Sequence, residues 1–500
     1  MKALNYIAVM VWTVVGMGIS GCSADYLDTT PTNQVSGGEV YGSVDNLYAA
    51  LNGIHRKMVS QDLSNQGMGG EPGFIIAREA MGDDMTWDTQ TWHQGYLNWS
   101  YNTNASSQYN YGIWETYYKF ILNANIILEN LQKLENLSAD DETLAQHIRG
   151  EALCIRAWAH FQLVQYYAKP YINGQENTQP GIPYRETSET LTQIARTPVE
   201  DVYAGINADL SEAADLLNGY TATDINHYTE KVVLGLQARV ALTQQRYAEA
   251  AEYARQAIEI ATEEGLSIMT PEELTNGFAD ISSETNEAMY AALTQDDQTV
   301  YFYSFYAYMS WNFNSSSIRT GIKCINQATY DKMGPNDYRR QWWDPTGTAE
   351  VPSSSYNQRV YQNRKFTARS TSDAVGDYAF MRLSEMYLIA AEAYARAGNE
   401  SAAKTYLDAF VAQRDPDMTG CDLSGDALID AIMQHRRIEL WGEGFRWFDL
   451  KRLQEPIHRD GSNFNVTFCG FLDKEVDEDG WIFEIPQDET DYNPLMEKNY

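Results

Sequence analysis

Apolar residues recur every three or four positions through several long stretches of this chain, the spacing that places them on one side of an α-helix. In YGIWETYYKFILNANIILENLQKL (111–134) the stripe runs through Ile113, Tyr117, Phe120, Ile121 and Ala124. EALCIRAWAHFQLVQYYA (151–168) carries another, and Pro170 ends it because proline cannot extend a helix. VEDVYAGINADLSEAADLL (199–217) begins just after Pro198, where a proline is tolerated. Two further stretches resemble each other, LGLQARVALTQQRYAEAAEYARQAI (234–258) and MYLIAAEAYARAGNESAAKTYLDAF (386–410). Each reads as helix, short polar turn, helix. Ala238, Ala241, Ala250 and Ala257 in the first match Ala390, Ala393, Ala402 and Ala409 in the second. Small residues at such offsets let paired helices approach closely, as in tetratricopeptide repeats, although no continuous period runs along the chain. The pattern predicts a mostly α fold, a tetratricopeptide-like scaffold over about 111–262 and 378–453 within a single domain, 41–500.

Between these helices lie long irregular segments, 60–110, 170–197, 265–376 and 455–500, rich in Gly, Pro, Asn and aromatics. Loops of that length on a helical body generally carry function. One of them, WDTQTWHQGYLNWSYNTN (87–104), is too aromatic for a solvated loop and too polar for a core segment.

The chain has 500 residues, 44% of them hydrophobic, with a formal charge of −33. That charge argues against nucleic acid or anionic headgroups as partners. It leaves a structural calcium ion open, and no other metal or cofactor is expected. The amino terminus changes the picture more. Lys2 precedes an apolar run from Tyr6 to Ile19 and then ISGC, the composition of a secretory signal over 1–21. The run is shorter than the about 20 residues a spanning helix needs. Cys22 after Ser-Gly resembles the bacterial lipobox, whose cysteine is acylated, and 22–40 reads as an extended tether. Cys154, Cys324, Cys421 and Cys469 form no CxxC, which disfavours zinc. In an exported chain they could pair in three ways, with Cys154 in an apolar helical pattern as a core thiol. No HExxH, GxSxG, P-loop or dinucleotide fingerprint occurs, and a non-enzymatic protein is expected.

Several ordered segments together resemble the SusD/RagB family of outer-membrane nutrient-binding lipoproteins of Bacteroidetes. RGEALCIRAWAHFQLVQYYAKPY carries Arg149, Glu151, Ala152, Arg156, Ala157, Phe161 and Leu163 in the family's spacing, followed by PGIPY. FMRLSEMYLIAAEAYARAG matches through Arg382, Leu383, Glu385, Leu388, Ala391 and Glu392. RRIELWGEGFRWFDLKR (436–452) is the most specific, and FEIPQDETDYNPLMEKN resembles the closing segment. In that segment Arg436, Arg437, Glu439, Glu443, Arg446 and Asp449 alternate in sign at helical spacing, as buried or half-buried ion pairs would.

The resemblance implies a surface-exposed, lipid-anchored protein of the outer membrane. It would capture oligo- or polysaccharide and deliver it to a SusC-like TonB-dependent transporter. A peptide-binding uptake protein is the alternative, and a glycoside hydrolase a weaker one. In relatives the ligand meets aromatics from a loop before the first long helix and from a mid-chain segment. Here those places are 83–104 and 294–319 within ligand-facing loops of about 60–110 and 265–376. A pyranose offers an apolar C–H face to an indole or phenol ring and a rim of hydroxyls to Asn, Gln and Asp. The candidate ligand residues are Trp87, Trp92, Asp84, Asp88, Gln90, His93 and Asn98 in the first loop. Tyr306, Trp311 and Asn312 are those in the second, where Tyr301 to Tyr306 alternate as a strand would. Alanine at Trp87 or Trp92 is expected to weaken glycan binding without lowering the melting temperature. Trp99, Trp342 and Trp343 are expected to pack internally.

Overall fold

The structure, a computed structural model, describes residues 41–61, 68–222, 224–281, 286–295, 297, 304–476 and 478–500. The signal, the tether, Cys22 and Tyr301 to Tyr303 lie outside the described residues. Among the described residues no helix is long and apolar enough to cross a membrane.

The longer helices are α1 (Val44–Met58), α2 (Gly70–Met81), α3 (Gln108–Leu131), α4 (Ala139–Tyr167), α5 (Val199–Leu216) and α6 (Glu230–Thr243). They continue with α7 (Tyr247–Glu263), α8 (Leu383–Arg396), α9 (Glu400–Val411), α10 (Asp426–Glu439) and α11 (Arg446–Leu453). Helix α4 starts twelve residues before the apolar pattern reveals it, at Ser138, whose hydroxyl accepts the Asp141 N–H at 3.2 Å. Asp140, Asp141 and Glu142 in its first turn suit the positive end of the helix dipole.

Helix α4 packs between α3 and α5, α5 meets α6, and the α6–α7 hairpin stacks on α8 with α9 and α10 behind it. The two similar helical pairs are therefore neighbours in space although more than a hundred residues separate them. Ala238, Ala241, Ala250, Ala257, Ala390 and Ala393 are fully buried at these contacts. The matching fails in α9: Ala402 is half-buried and Ala409 exposed, while Ala403 and Leu407 face the core.

Three small sheets fasten the irregular segments to this stack. Strands β2 (Ala288–Ala292) and β6 (Tyr378–Arg382) pair antiparallel, with Ala291 opposite Ala379. A four-stranded sheet of two-residue strands runs in the order β1 (Met85–Thr86), β3 (Cys324–Ile325), β5 (Gln362–Asn363), β4 (Trp343–Asp344). The third pairs β7 (Ile457–His458) with β8 (Asp473–Lys474).

Two expectations about the loops need correcting. Residues 70–81 form helix α2 with every position buried, so its sequence lacks the one-sided stripe that marks a surface helix. Phe305–Met309 is a helical turn, so the alternation through Tyr306 does not continue as a strand. Trp99, Trp342 and Trp343 are buried as expected. Cys154, Cys324, Cys421 and Cys469 are all free thiols, and Cys154 is fully buried.

The α10–α11 segment is the junction between scaffold and loops. Glu439 at the end of α10 faces Arg414 at 2.9 Å, Arg382 at 3.1 Å and Arg339 at 3.5 Å. Glu443 takes Arg382 at 2.8 Å and Lys365 at 2.6 Å, and Glu287 takes Arg382 at 2.8 Å. With Asp337 on Arg339, four cations meet four carboxylates, all nearly without solvent contact. Burial pushes the Glu439 carboxyl up, and Arg414 and Arg382 outweigh it and hold it far below the usual range. A second cluster joins Arg436 to Asp449 at 2.7 Å and Arg452 to both Asp449 and Glu392. There burial is outweighed by Arg436 and Arg452, which bring Asp449 down to about 2. Between the helices, Gly442 and Gly444 both have φ near +81°, and a Cβ on Gly444 would lie 3.1 Å from the Ile75 backbone. Helix α2 packs here, and the Gly444 N–H donates to Glu79 at 3.1 Å.

Cutting one partner from this network leaves a buried charge, so Arg382→Met should cost about 3–5 kcal/mol in denaturant unfolding. Glu79 gives a pH test. Burial raises its carboxyl from 4.5 to about 8. A raised folded value contributes stability that is whole below about 4.5 and lost as pH rises through about 8. The melting temperature of the wild type minus that of Glu79→Gln should therefore fall between about pH 5 and about pH 8.5; a constant difference would contradict this assignment.

Candidate functional site

The four-stranded sheet brings the two candidate segments together. Thr86 at the end of β1 pairs with Cys324 at the start of β3, so the chain leaving β1 lies beside the chain entering β3. The Thr89 hydroxyl donates to the Thr320 carbonyl at 3.0 Å. A Cβ on Gly321 would sit 2.8 Å from the Thr91 methyl, which shows how tightly the two run. A third segment joins them, 351–367. The Asn357 N–H donates to the Arg319 carbonyl at 2.9 Å, and Arg359 pairs with Asp88 at 3.2 Å.

This convergence carries two indoles that are not buried. Among the described tryptophans only Trp92 and Trp311 are not buried, and Trp92 is 46% exposed. The Arg364 guanidinium lies 4.2 Å from the Trp311 ring centroid, and the Trp311 N–H donates to the Thr367 hydroxyl at 2.9 Å. The ring is thus held on one side by a cation and at its edge by a hydrogen bond. A narrow cleft of about 20 Å³ beside it is lined by Trp311, Ile322, Lys323, Tyr356 and Arg364 among others. Gln90 is exposed next to Trp92, and Asp88 is half-exposed at its Arg359 ion pair.

Beneath the patch lies Lys323. It is buried, donates to the Gly321 carbonyl at 2.7 Å, and stands 4.8 Å from the Trp87 ring centroid. Burial pushes its ammonium down to about 7, and among the described residues no carboxylate is bonded to it.

The structure puts six of the ten candidates elsewhere. Asp84 is fully buried and held by Arg437 at 2.7 Å, while Asp83 meets Arg446 at 2.7 Å. Trp87 is 3% exposed, and its N–H donates to Gln94 at 3.2 Å. His93 is buried edge-on to Tyr308, with ring centroids 4.8 Å apart. The Tyr306 hydroxyl donates to the Asp377 carbonyl at 3.0 Å and to the Phe278 carbonyl. Asn312 brackets Ala368, donating to its carbonyl and accepting its N–H, both at 2.8 Å. Asn98 is half-buried and accepts the Ser100 N–H at 3.1 Å, beside Gly470 and away from the Trp311 cleft. The five buried ones are structural in this conformation, and Asn98 keeps some surface outside the lining of the cleft. Asp88, Gln90, Trp92 and Trp311 are the candidates with surface to offer. Sequence reasoning missed Tyr356, Arg359 and Arg364, which come from a stretch with no local pattern.

The chemistry on display is that of a binding surface: an exposed indole, a second indole braced by arginine, and amide, hydroxyl and carboxylate groups around them. Asp83 and Asp84 are committed to arginines and do not form an acid–base pair.

Comparison with known proteins agrees with this class. The SusD family profile matches residues 168–500, and a second, described as starch-binding associating with outer membrane, matches 25–242. The chain belongs to the SusD family. It is 23% identical over 496 residues to SusD-like protein P2 of Formosa agariphila, covering 89% of this chain and 90% of that one. A SusD superfamily protein of Bacteroides thetaiotaomicron superposes with a TM-score of 0.77 at 22% identity, over 92% of this chain and 100% of the other. A SusD-like carbohydrate binding protein of Bacteroides vulgatus gives 0.77 at 22% identity, over 91% and 97%. At such identity the superpositions establish the helical, tetratricopeptide-like fold.

The placement of the two loop tryptophans predicts opposite responses. Trp87→Ala empties a packed site and should cost about 3–5 kcal/mol. Trp92→Ala should stay within about 0.5 kcal/mol of wild type. Chemical denaturation of both variants tests this.

Proposed function

We propose that this protein is a glycan-binding lipoprotein of the outer-membrane surface that captures oligo- or polysaccharide and passes it to a SusC-like TonB-dependent transporter. The observation that carries the reading is the patch itself. Trp92 is the one exposed tryptophan among the described residues, and Trp311 stands with it on the same convergence of loops. An indole covers the apolar face of a sugar ring at little conformational-entropy cost, and the neighbouring Gln90, Asp88 and Arg359 suit the hydroxyl rim. Family membership supports the same reading, as does the description of one family profile as starch-binding at the outer membrane. The carbohydrate-binding relative of Bacteroides vulgatus shares the fold.

Acyl chains on Cys22 would attach the mature chain without a membrane span. A surface patch of this size binds weakly, and attachment beside the transporter offsets that by raising effective concentration for a polymer with many repeats.

Calorimetry against a panel of oligosaccharides should give heat with at least one and no product release. Trp92→Ala or Trp311→Ala should then weaken binding about tenfold, the equivalent of about 1.4 kcal/mol. Heat only with a peptide library, or turnover of a glycan, would overturn the reading. For the anchor, Cys22→Ser should move the protein from the membrane pellet to the soluble fraction after cell lysis.

A further inference from the structure

Far from the loop patch, three polar side chains from separate parts of the chain meet in the core. His55 comes from α1, Glu151 from α4, and His227 from the segment before α6. His55 Nε2 lies 3.2 Å from Glu151 Oε2, and His227 Nδ1 lies 3.1 Å from both oxygens of the same carboxylate. All three offered atoms fall within 4.8 Å of one another, and all three residues are buried.

We propose that His55, Glu151 and His227 form a binding site for a divalent transition-metal ion of the Zn²⁺ class. Metal–ligand bonds of about 2.0–2.1 Å at tetrahedral angles place neighbouring donor atoms roughly 3.3 Å apart. The two histidine–carboxylate separations already lie close to that spacing. Two imidazoles and one carboxylate suit zinc and leave a fourth position for water.

The surroundings fit as well. A metal-binding imidazole faces the ion with its unprotonated nitrogen and donates its other N–H outward. Here His55 Nδ1 lies 3.2 Å from the Tyr290 hydroxyl, and His227 Nε2 lies 3.4 Å from the Tyr48 hydroxyl. Tyr48 also stacks on His227, with centroids 5.7 Å apart and planes 10° from parallel. The Tyr228 N–H donates to Glu151 Oε2 at 3.0 Å and fixes the carboxylate.

An entry path is present. A cleft of about 350 Å³ reaches His55, lined by Asn52, Arg56, Asp224, Asn226 and Tyr290 among others. Asp224 at its mouth is exposed, and Arg56 is paired with Asp297 at 2.6 Å, which lessens its repulsion of an entering cation. Once bound, the ion would tie α1 and the 224–229 segment to the long helix α4.

The test uses tag-free protein stripped with chelator and titrated with Zn²⁺ by calorimetry and with Co²⁺ by absorption. One equivalent should bind, Co²⁺ should show the visible bands of a tetrahedral site, and Zn²⁺ should raise the melting temperature. His55→Gln and His227→Gln should each lose at least about tenfold in affinity. Tyr48→Phe and Tyr290→Phe keep the ligands and packing and should weaken binding about 10-fold or more through the lost outer hydrogen bond. These two variants decide the matter if the histidine variants do not fold. Absence of stoichiometric binding, or affinity unchanged in the variants that fold, would overturn the proposal.

Discussion

A carboxylate removed from water must meet cations or lose its charge, and that requirement governs how this molecule is joined. Glu439 meets it with three arginines: Arg382 at the end of β6, Arg414 after α9, and Arg339 in the mid-chain loop. One side chain at the end of α10 thereby binds three segments. Two residues before Glu439 and seven after it, the same segment makes a second set of ties. Arg437 and Arg446 grip Asp84 and Asp83, which stand immediately before β1. The loops of the candidate site therefore grow out of a position fixed by ion pairs. Such pairs add little net stability against a well-packed apolar alternative, but each is costly to half-break. They specify one arrangement of loops on scaffold.

The sign alternation in RRIELWGEGFRWFDLKR is visible in sequence because it is local, and the buried pair Arg436–Asp449 follows the expectation of ion pairs. The partner of Asp84 is not visible, since Arg437 lies 353 residues away. A carboxylate in a Trp-rich loop reads as a hydrogen-bonding group for a ligand until that distant cation is known. The same limit explains α2. Its sequence, GEPGFIIAREAM, has glycines and a proline at its start, and even its charged residues Glu71, Arg78 and Glu79 are buried, because loops, α1 and α11 enclose it. Periodicity reports a boundary between core and water, and a helix with no such boundary gives no signal. In α9 the alanine matching slips by one position, so that Ala403 packs where Ala402 was expected.

Trp87 and Trp92 show how far composition can carry a site. They are five residues apart in one loop, yet one is a buried wall over Lys323 and the other projects into solvent. What separates them is the position of β1. Trp87 follows Thr86 directly, so strand pairing draws it under the sheet, while five further residues let Trp92 reach the surface. Neither fact is encoded in the aromatic content of the loop. Arg364 is a similar case: its place on the Trp311 ring depends on β5 pairing with β3 and β4, and nothing near it in sequence forecasts that pairing.

These observations bear on how a weak surface site can be selective. Side chains that must be ordered when a ligand arrives charge that ordering against affinity. Here Trp311 is already braced by Arg364 and Thr367, Asp88 by Arg359, and the loop backbone by Thr89 on Thr320. The bracing traces back through β1 to Asp83 and Asp84 and from there to the α10–α11 segment. A patch held in this way presents its indole and its polar rim at fixed separations, so that discrimination among ligands rests on whether their apolar faces and hydroxyls match those separations. In the proposed glycan-binding role, the buried charges do no recognition themselves. They keep the geometry on which recognition depends.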